Sequence, residues 1–216
     1  LKKLEMMGEY SFPENYKNKI QVVVNPEEKT LKFIDTGLGM TAEEVEEYIT
    51  QIAFSGATEF LEKYKDKTTE DDMIGHFGLG FYSAFMVADK VEIFSLSYQE
   101  DAKAVHWSCD GSPEYTMEET IKAERGTDIV LHINDEYAQY LEDATVEGLL
   151  TKYCKFLPVE IAFGMKKEWK DGKQVETEEE NVINDVNPAW TRKPADLTEE
   201  DYKNFYHQLY PNQMDE

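Results

Sequence analysis

Hydrophobic and polar positions near the start of the chain predict two strands joined by a turn. Residues 20–24 form a short apolar run that Asn25 and Pro26 interrupt, and residues 30–34 then alternate between apolar and polar side chains. Runs of this length on either side of a turn signal are typical of a β-hairpin. Asp35 follows directly, so its carboxylate is expected at the end of the second strand.

The pattern then changes to helical spacing. Thr41 and Glu44 are three residues apart, as in a capping box at a helix N-terminus. Ser55 and Gly56 are predicted to end this helix, and the polar residues 59–72 to form a flexible lid. The apolar side chains that follow the cap at helical intervals are Val45, Tyr48, Ile49 and Ile52.

The middle of the chain predicts a compact helix and three strands. Residues 81–88 are apolar and follow a glycine, which indicates a helix. Residues 91–96, 104–109 and 128–133 alternate like half-buried strands.

The next segment predicts a helix, a strand and a charged stretch. The strand is residues 159–163. Residues 165–181 are dominated by Lys and Glu around Asp171-Gly172, which indicates either a charged linker or an exposed hairpin. The helix begins at Thr145, and its apolar face is Val146, Leu149, Leu150, Tyr153, Cys154 and Leu157.

A last helix is predicted from Thr198, with Asp201 in the capping-box position. Its apolar stripe has little of the preceding sequence to pack against, so we expect a second domain to begin here. The stripe consists of Tyr202, Phe205, Tyr206 and Leu209.

Composition narrows the range of functions. The 216 residues are 41% apolar and carry a net charge of -23. Nucleic-acid binding needs a basic face, so no such partner is expected. No apolar run approaches the roughly 20 residues that span a bilayer, so no membrane association is expected.

Cys109 and Cys154 lack the spacing of a zinc site or a disulfide framework and are expected to be reduced thiols. No metal-ligand spacing links the histidines, His76, His106, His132 and His207.

Two glycine-bearing motifs carry the candidate chemistry. In the first, residues 35–40 (Asp-Thr-Gly-Leu-Gly-Met), the partly buried carboxylate of Asp35 needs donors, and an adenine amino group supplies one. Gly37 and Gly39 leave room for a planar base, and Met40 offers a polarizable side chain to pack on it. The alternatives are a glycine-rich Asx turn and the Asp-Thr-Gly of an aspartic protease, where two carboxylates share a proton.

The second motif is residues 75–80 (Gly-His-Phe-Gly-Leu-Gly). It has neither the spacing of the dinucleotide fingerprint nor the Gly-Lys-Ser/Thr of a P-loop. Free amides at the start of the following helix favour an anion, which suggests phosphate, and close helix packing is the alternative. A side chain at Gly78 or Gly80 is then expected to obstruct the phosphate or to strain a backbone of positive φ. Thr127 offers a hydroxyl to a ligand or caps a turn.

Together and in this order, the motifs resemble the gyrase, chaperone, histidine kinase and MutL ATPase superfamily. Within it, the sequence is most similar to the ninety-kilodalton heat-shock chaperone family. The resemblance rests on residues 35–40, residues 52–56 (Ile-Ala-Phe-Ser-Gly), residues 74–83 (Ile-Gly-His-Phe-Gly-Leu-Gly-Phe-Tyr-Ser), residues 125–127 (Arg-Gly-Thr), residues 157–161 (Leu-Pro-Val-Glu-Ile) and residues 190–192 (Trp-Thr-Arg).

The resemblance implies an α+β fold, a two-layer α/β sandwich of the Bergerat ATP-binding type. Its sheet would be mixed but largely antiparallel, with helices on one face. ATP or ADP would lie between the helices and the lid, with the base near Asp35, the phosphates on the amides of residues 75–81, and the lid hinge near residues 55–56. The implied nucleotide-binding residues are Asp35, Gly39, Met40, Ser55, Gly56, Gly75, Phe77, Gly78, Leu79, Gly80, Phe81 and Thr127.

The resemblance also implies a function: the ATP-binding domain of a cytoplasmic, ATP-dependent chaperone that assists protein folding. Unfolded or partly folded client proteins would be its partners, and the full-length protein would be a homodimer. Residues 1–164 would be the ATP-binding domain, residues 165–186 a charged linker or hairpin, and residues 187–216 the start of a middle domain. A module that binds nucleotide without hydrolysing it is the alternative.

The sequence departs from the family pattern in three places. The family's first motif, a helix with a catalytic Glu and an Asn that binds Mg²⁺, has no match, and residues 1–4 resemble the last turn of that helix. No catalytic residue, Mg²⁺ ligand or ATP hydrolysis is therefore expected of these residues alone. Phe54 stands where many relatives carry a Lys that faces phosphate, and Tyr48 where an Asn near the ribose is common.

Overall fold

The structure, a computed structural model, describes residues 8, 11, 16–50, 80–170 and 172–210. The chain divides into two compact units, Leu1–Val146 and Glu147–Glu216. In these described ranges, we find no helix with the length and apolar character that crossing a bilayer would require.

The first unit contains an antiparallel sheet whose strands lie in the order β5-β4-β3-β6-β2-β1. Each of the five pairings between these neighbours is antiparallel. The predicted hairpin is confirmed as β1 and β2. The strands are β1 (Lys19–Asn25), β2 (Thr30–Asp35), β3 (Ala88–Leu96), β4 (Ala104–Cys109), β5 (Tyr115–Thr120) and β6 (Gly126–Ile133).

Helices accompany this sheet. Helix α1 (Ala42–Thr50) begins with the predicted capping box: the Thr41 amide donates to Glu44 Oε2 at 2.8 Å, and the Glu44 amide donates to Thr41 Oγ1 at 3.3 Å. Two 3₁₀ helices, Gly80–Met86 and Asp135–Leu141, and helix α2 (Asp143–Tyr153) follow. The predicted α+β architecture with a largely antiparallel sheet is confirmed.

One face of the sheet forms the core. The strand register aligns Phe33, Ile129, Ile93 and Trp107 across β2, β6, β3 and β4. Ile93 and Trp107 are buried, and the ring of Phe81, from the first 3₁₀ helix, meets the Trp107 ring edge-on with centroids 5.7 Å apart. The burial of these large side chains supplies most of the driving force for this packing.

A charged cluster lies on the opposite face of the sheet, centred on Glu92. The Nε2 atoms of His106 and His132 lie 2.9 and 2.6 Å from the two Glu92 oxygens, and Lys90 Nζ lies 3.0 Å from Oε1. His106 Nδ1 also lies 3.2 Å from Glu118 Oε1. Burial alone would raise the Glu92 pKa, but hydrogen bonds from His132, Lys90 and His106 outweigh it and lower the pKa to about 2.

The second unit contains a hairpin and a helix. Strands β7 (Glu160–Lys170) and β8 (Lys173–Val182) pair antiparallel, and Gly172 has φ 76° at the turn between them. The charged segment therefore has the hairpin form rather than the linker form. Two short 3₁₀ helices, Ala189–Thr191 and Pro194–Asp196, lead to the last helix, α3, which is Glu199–Leu209.

Helix α3 begins with the predicted capping box between Thr198 and Asp201. Phe205 turns inward and packs with Trp190 and Phe156. The rest of the predicted apolar stripe is exposed: Tyr202 49%, Tyr206 38% and Leu209 43%.

Several predicted elements differ from the structure. Residues 81–88 were expected to be one helix, but the helix is 3₁₀ and ends at Met86, because the chain already enters β3 at Ala88. Strand β5 was not predicted because its outward side chains are mostly polar. The 3₁₀ helix Asp135–Leu141 was also missed.

The predicted apolar face of helix α2 is wrong in part. Val146 is buried, but Leu149 is 38% and Tyr153 69% exposed. The helix ends at Tyr153, so the predicted positions Cys154 and Leu157 lie beyond it. Pro158 disfavours helical backbone at Leu157, so the helix could not have included that predicted position.

We predict that Glu92→Gln lowers the free energy of unfolding by on the order of 2 kcal/mol at neutral pH. The folded protein stabilises the ionised carboxylate of Glu92 relative to the unfolded chain, and the neutral amide of Gln loses this stabilisation. The folded pKa, about 2, lies below the ordinary value of 4.5, so this stability is present above about pH 5 and lost as the pH falls toward 2. Urea unfolding of both proteins across this range measures the difference.

Glu119→Gln is the control for this prediction. Glu119 pairs with Lys103 at 2.6 Å, but both side chains are more than half exposed. Such pairs contribute less than about 1 kcal/mol. A Glu92→Gln deficit that stays constant from pH 7 to pH 2 would contradict the assignment.

Candidate functional site

Asp35 ends β2 on the core face of the sheet. It lies opposite Thr127 of β6, which in turn lies opposite Ser95 of β3. The Gly37 amide donates to Asp35 Oδ1 at 2.6 Å. Burial raises the Asp35 pKa above its ordinary value, against the opposing effect of amide hydrogen bonds from Gly37 and Thr127. A half-buried carboxylate of this kind can accept a hydrogen bond from an N–H group of a ligand.

Residues 36–40 pass over the end of β3 and are held to it by three contacts. The Met40 amide donates to Ser95 Oγ at 2.8 Å, and the Tyr98 amide donates to the Leu38 carbonyl oxygen at 2.8 Å. Gly39 has φ 66°, and a Cβ there would lie 1.8 Å from the Leu96 carbonyl oxygen. Only glycine permits this approach of two backbones.

A second glycine, Gly126 at the start of β6, allows another close backbone approach at the same site. Gly126 has φ 123°, and a Cβ there would lie 2.0 Å from the Asp35 carbonyl oxygen. The close approach lets Thr127 reach its register position beside Asp35. The close approach of the backbones around Asp35 therefore needs Gly126 as well as the glycines of the predicted motif, although Gly126 lies 87 positions after Gly39 in the sequence.

The other side of the Asp35 turn is held by Arg125. Its Nη1 donates to the Thr36 carbonyl oxygen at 3.0 Å and also to that of Gly37. The guanidinium lies 4.9 Å from the centre of the Tyr16 ring, and Tyr16 Oη donates to the Thr36 carbonyl oxygen at 2.8 Å. These contacts fix the backbone that positions the carboxylate.

The structure brings together four of the predicted site residues: Asp35, Gly39, Met40 and Thr127. Gly80 and Phe81 lie in the first 3₁₀ helix. The remaining predicted residues lie outside the described part of the chain, as do the lid and the end of the first predicted helix. They are Ser55, Gly56, Gly75, Phe77, Gly78 and Leu79.

Gly80 departs from expectation. Its backbone does not have positive φ, and a Cβ there would meet no atom within 4 Å, so the predicted backbone strain at this glycine is wrong. The helix it opens is a seven-residue 3₁₀ helix, too short to present the aligned dipole expected of a longer α-helix.

Sequence reasoning missed Ser95 and the roles of Arg125 and Tyr16. Ser95 is fully buried and occupies a core-facing position in an otherwise apolar alternation. That inward polar position was the available signal, because buried hydroxyls need partners. Arg125 contributed only to the resemblance, and nothing in its sequence context indicates the distant carbonyls it contacts.

Two further observations concern possible metal binding and a cavity near the site. Among the described residues, we find no group of three or more His, Cys, Asp or Glu side chains that could hold a metal ion. A cavity of about 380 Å³ lies beside the start of α1 and is lined by residues 41–43, 101–105 and 117–119. It includes neither Asp35 nor Thr127, so it is separate from the candidate site.

Comparisons with known proteins identify the family. Residues 15–131 match the family model described as Histidine kinase-, DNA gyrase B-, and HSP90-like ATPase. The chain belongs to this ATPase family. Residues 165–216 match the model of Hsp90 protein, which confirms the resemblance to the heat-shock chaperones. Family membership, rather than an aspartic protease, accounts for the Asp-Thr-Gly of residues 35–37.

Curated relatives agree with this family. The protein named Chaperone protein HtpG from Bacteroides thetaiotaomicron is 64% identical over 182 residues, 84% of this chain and 26% of that protein. Proteins of the same name from Porphyromonas gingivalis and Dechloromonas aromatica are 58% identical over 211 residues and 39% over 191 residues, covering 98% and 87% of this chain. The chain spans about a quarter to a third of the length of these relatives.

The two glycines Gly39 and Gly80 provide a direct test of this geometry. We predict that Gly39→Ala lowers the free energy of unfolding by more than about 2 kcal/mol, because the backbone must shift away from Leu96 and adopt strained φ. Gly80→Ala should change it by less than about 0.5 kcal/mol. Urea denaturation measures both, and equal effects would contradict the described path of residues 36–40.

Proposed function

We propose that this chain is the ATP-binding domain of an ATP-dependent chaperone, and that the described site receives the adenine base. The observation that carries the proposal is the half-buried Asp35 carboxylate, whose pKa burial raises, with Thr127 beside it on the core face of the sheet. The family of ATPases to which the chain belongs supports the same ligand class.

The chemistry of Asp35 favours adenine. An ionised carboxylate offers only acceptors, and the amino group of adenine is a donor. Guanine would place a carbonyl oxygen at the corresponding position, so two acceptors would face each other. Met40 follows Gly39 into the site, and its thioether side chain suits contact with an aromatic ring.

The phosphates of ATP or ADP are proposed to lie on the second glycine motif. The amides from Gly75 to Phe81, including Phe77, Gly78, Leu79 and Gly80, would donate to phosphate oxygens. Ser55 and Gly56 would lie near the lid hinge. Mg²⁺ would stabilise the charge that develops on the phosphates, and its protein ligand is expected in the family's first motif, which this sequence lacks.

The function of the whole protein is proposed by analogy with the relatives named Chaperone protein HtpG. Unfolded or partly folded proteins would be its clients, the full-length protein would be a homodimer, and its location would be the cytoplasm. Residues 1–164 would form the ATP-binding domain, residues 165–186 the charged segment and residues 187–216 the start of a middle domain. The match to the Hsp90 model begins at residue 165, which supports a division near this point.

We predict that Asp35→Asn weakens ADP binding by about 1–3 kcal/mol, roughly ten- to a hundredfold in Kd, because the amide presents an N–H group where the base needs an acceptor. Calorimetry on the chain extended upstream by the family's first motif measures the change. Asp89→Asn, at an exposed position of the same sheet, should leave the Kd unchanged. An Asp35→Asn protein that is folded and binds ADP like wild type would refute the adenine assignment.

We also predict that the 216 residues alone do not hydrolyse ATP above background. Attack of water on the terminal phosphate needs a positioned base and a metal ligand, and in the family both belong to the first motif. Restoring that motif should strengthen binding, and adding a middle domain should give slow hydrolysis. Magnesium-dependent phosphate release by the 216 residues alone would require a base among them and would overturn this account.

A further inference from the structure

We propose that Ser95 is a positioning residue for base recognition: it fixes the direction in which the Thr127 hydroxyl donates, and so selects adenine over guanine. This inference rests on the proposed nucleotide site. Ser95 does not touch the ligand itself. It acts through Thr127 and through the backbone of Met40.

The geometry around the Ser95 hydroxyl is closely defined. The side chain is fully buried, and its Oγ has three polar neighbours. The Met40 amide nitrogen and Thr127 Oγ1 each lie 2.8 Å away, and the Gly126 carbonyl oxygen lies 3.4 Å away. The hydroxyl therefore joins the loop of the first glycine motif to the strand that carries Thr127.

The protons of this cluster can be assigned from its chemistry. An amide N–H only donates, so Ser95 Oγ accepts from Met40. The single Ser95 proton then has two acceptors within reach, Thr127 Oγ1 and the more distant Gly126 carbonyl oxygen. If Thr127 donated to Ser95 instead, the buried Ser95 proton would be left with only the Gly126 carbonyl oxygen at 3.4 Å, beyond the usual range of an O–H···O hydrogen bond. Donation from Ser95 to Thr127 is therefore favoured. Thr127 Oγ1 is thereby an acceptor toward Ser95, and its own proton is left to donate elsewhere.

The site then presents one acceptor beside one donor. Asp35 and Thr127 are register partners on the same face of the sheet, so the Asp35 carboxylate lies next to the Thr127 O–H group. Adenine offers the complementary pair, an amino donor beside the ring nitrogen N1, which is an acceptor. Guanine offers the reverse pair, a carbonyl acceptor beside an N1–H donor.

Loss of the Ser95 hydroxyl removes the constraint. In Ser95→Ala, the Thr127 hydroxyl can turn and accept as readily as it donates, so the preference for a ring acceptor is lost. The same substitution leaves the buried Met40 amide without its partner, which costs stability. A test therefore needs a readout that follows the base chemistry rather than the stability of the fold.

That readout is the ratio of Kd values for two ligands. ADP has the N1 acceptor, and 1-deaza-ADP replaces it with C–H while keeping the amino group. We expect the wild-type protein, in the same upstream-extended chain, to bind ADP about tenfold more tightly than 1-deaza-ADP, the difference of one hydrogen bond. Ser95→Ala should bring the ratio close to one and should reduce the preference for ADP over GDP.

Two variants complete the design. Ser97→Ala removes a neighbouring buried hydroxyl, whose contact is with the Gln99 amide at 3.4 Å, and should keep the wild-type ratio. Ser95→Thr keeps the hydroxyl and should also keep it. Urea unfolding establishes that each protein is folded before its Kd is used.

The outcomes separate the two proposals. Absence of ADP binding by wild type refutes the proposed nucleotide site itself. ADP binding with equal affinity for 1-deaza-ADP refutes only the role of the Thr127 donor, and this result needs no variant. If Ser95→Ala weakens both ligands by the same factor, Ser95 acts on stability alone and the inference is overturned.

Discussion

The site depends on a row of three polar side chains across neighbouring strands, of which Thr127 and Ser95 are buried and Asp35 is half-buried. Asp35, Thr127 and Ser95 occupy positions where the rest of the core face is apolar. Burying such groups is unfavourable unless each finds a partner. Antiparallel register solves the problem, because it places the three side chains in line and lets the Met40 amide complete the row. A slip of one residue in either pairing would turn one member to the opposite face.

Backbone contacts at two glycines make this row possible. Gly39 brings residues 36–40 against β3, and Gly126 brings the start of β6 against Asp35. Arg125 holds the remaining side by donating to the carbonyl oxygens of Thr36 and Gly37. The base end of the site is therefore fixed by main-chain geometry more than by any one side chain, which suits recognition of a planar ligand edge.

Much of this arrangement follows from local sequence, and some of it does not. The hairpin, the Thr41 and Thr198 capping boxes and the position of Asp35 each depend on residues a few places apart, so pattern reasoning finds them. Strand β5, which pairs with β4, is mostly polar, so its sequence lacks the alternation of apolar and polar residues that would have predicted a strand. The link from Ser95 to Thr127 joins residues 32 positions apart, and only strand order reveals it.

The edge of the sheet at β5 has a consequence for a protein proposed to meet unfolded chains. In the described part of the chain, β5 pairs with β4 alone, so its other side offers unpaired backbone groups to any extended peptide. Glu118 and Glu119 lie on this six-residue strand, and Glu114 precedes it. Short, charged edge strands resist the addition of further strands. The acidic edge thus guards against uncontrolled β-pairing with aggregation-prone polypeptides, leaving contact with them to other surfaces.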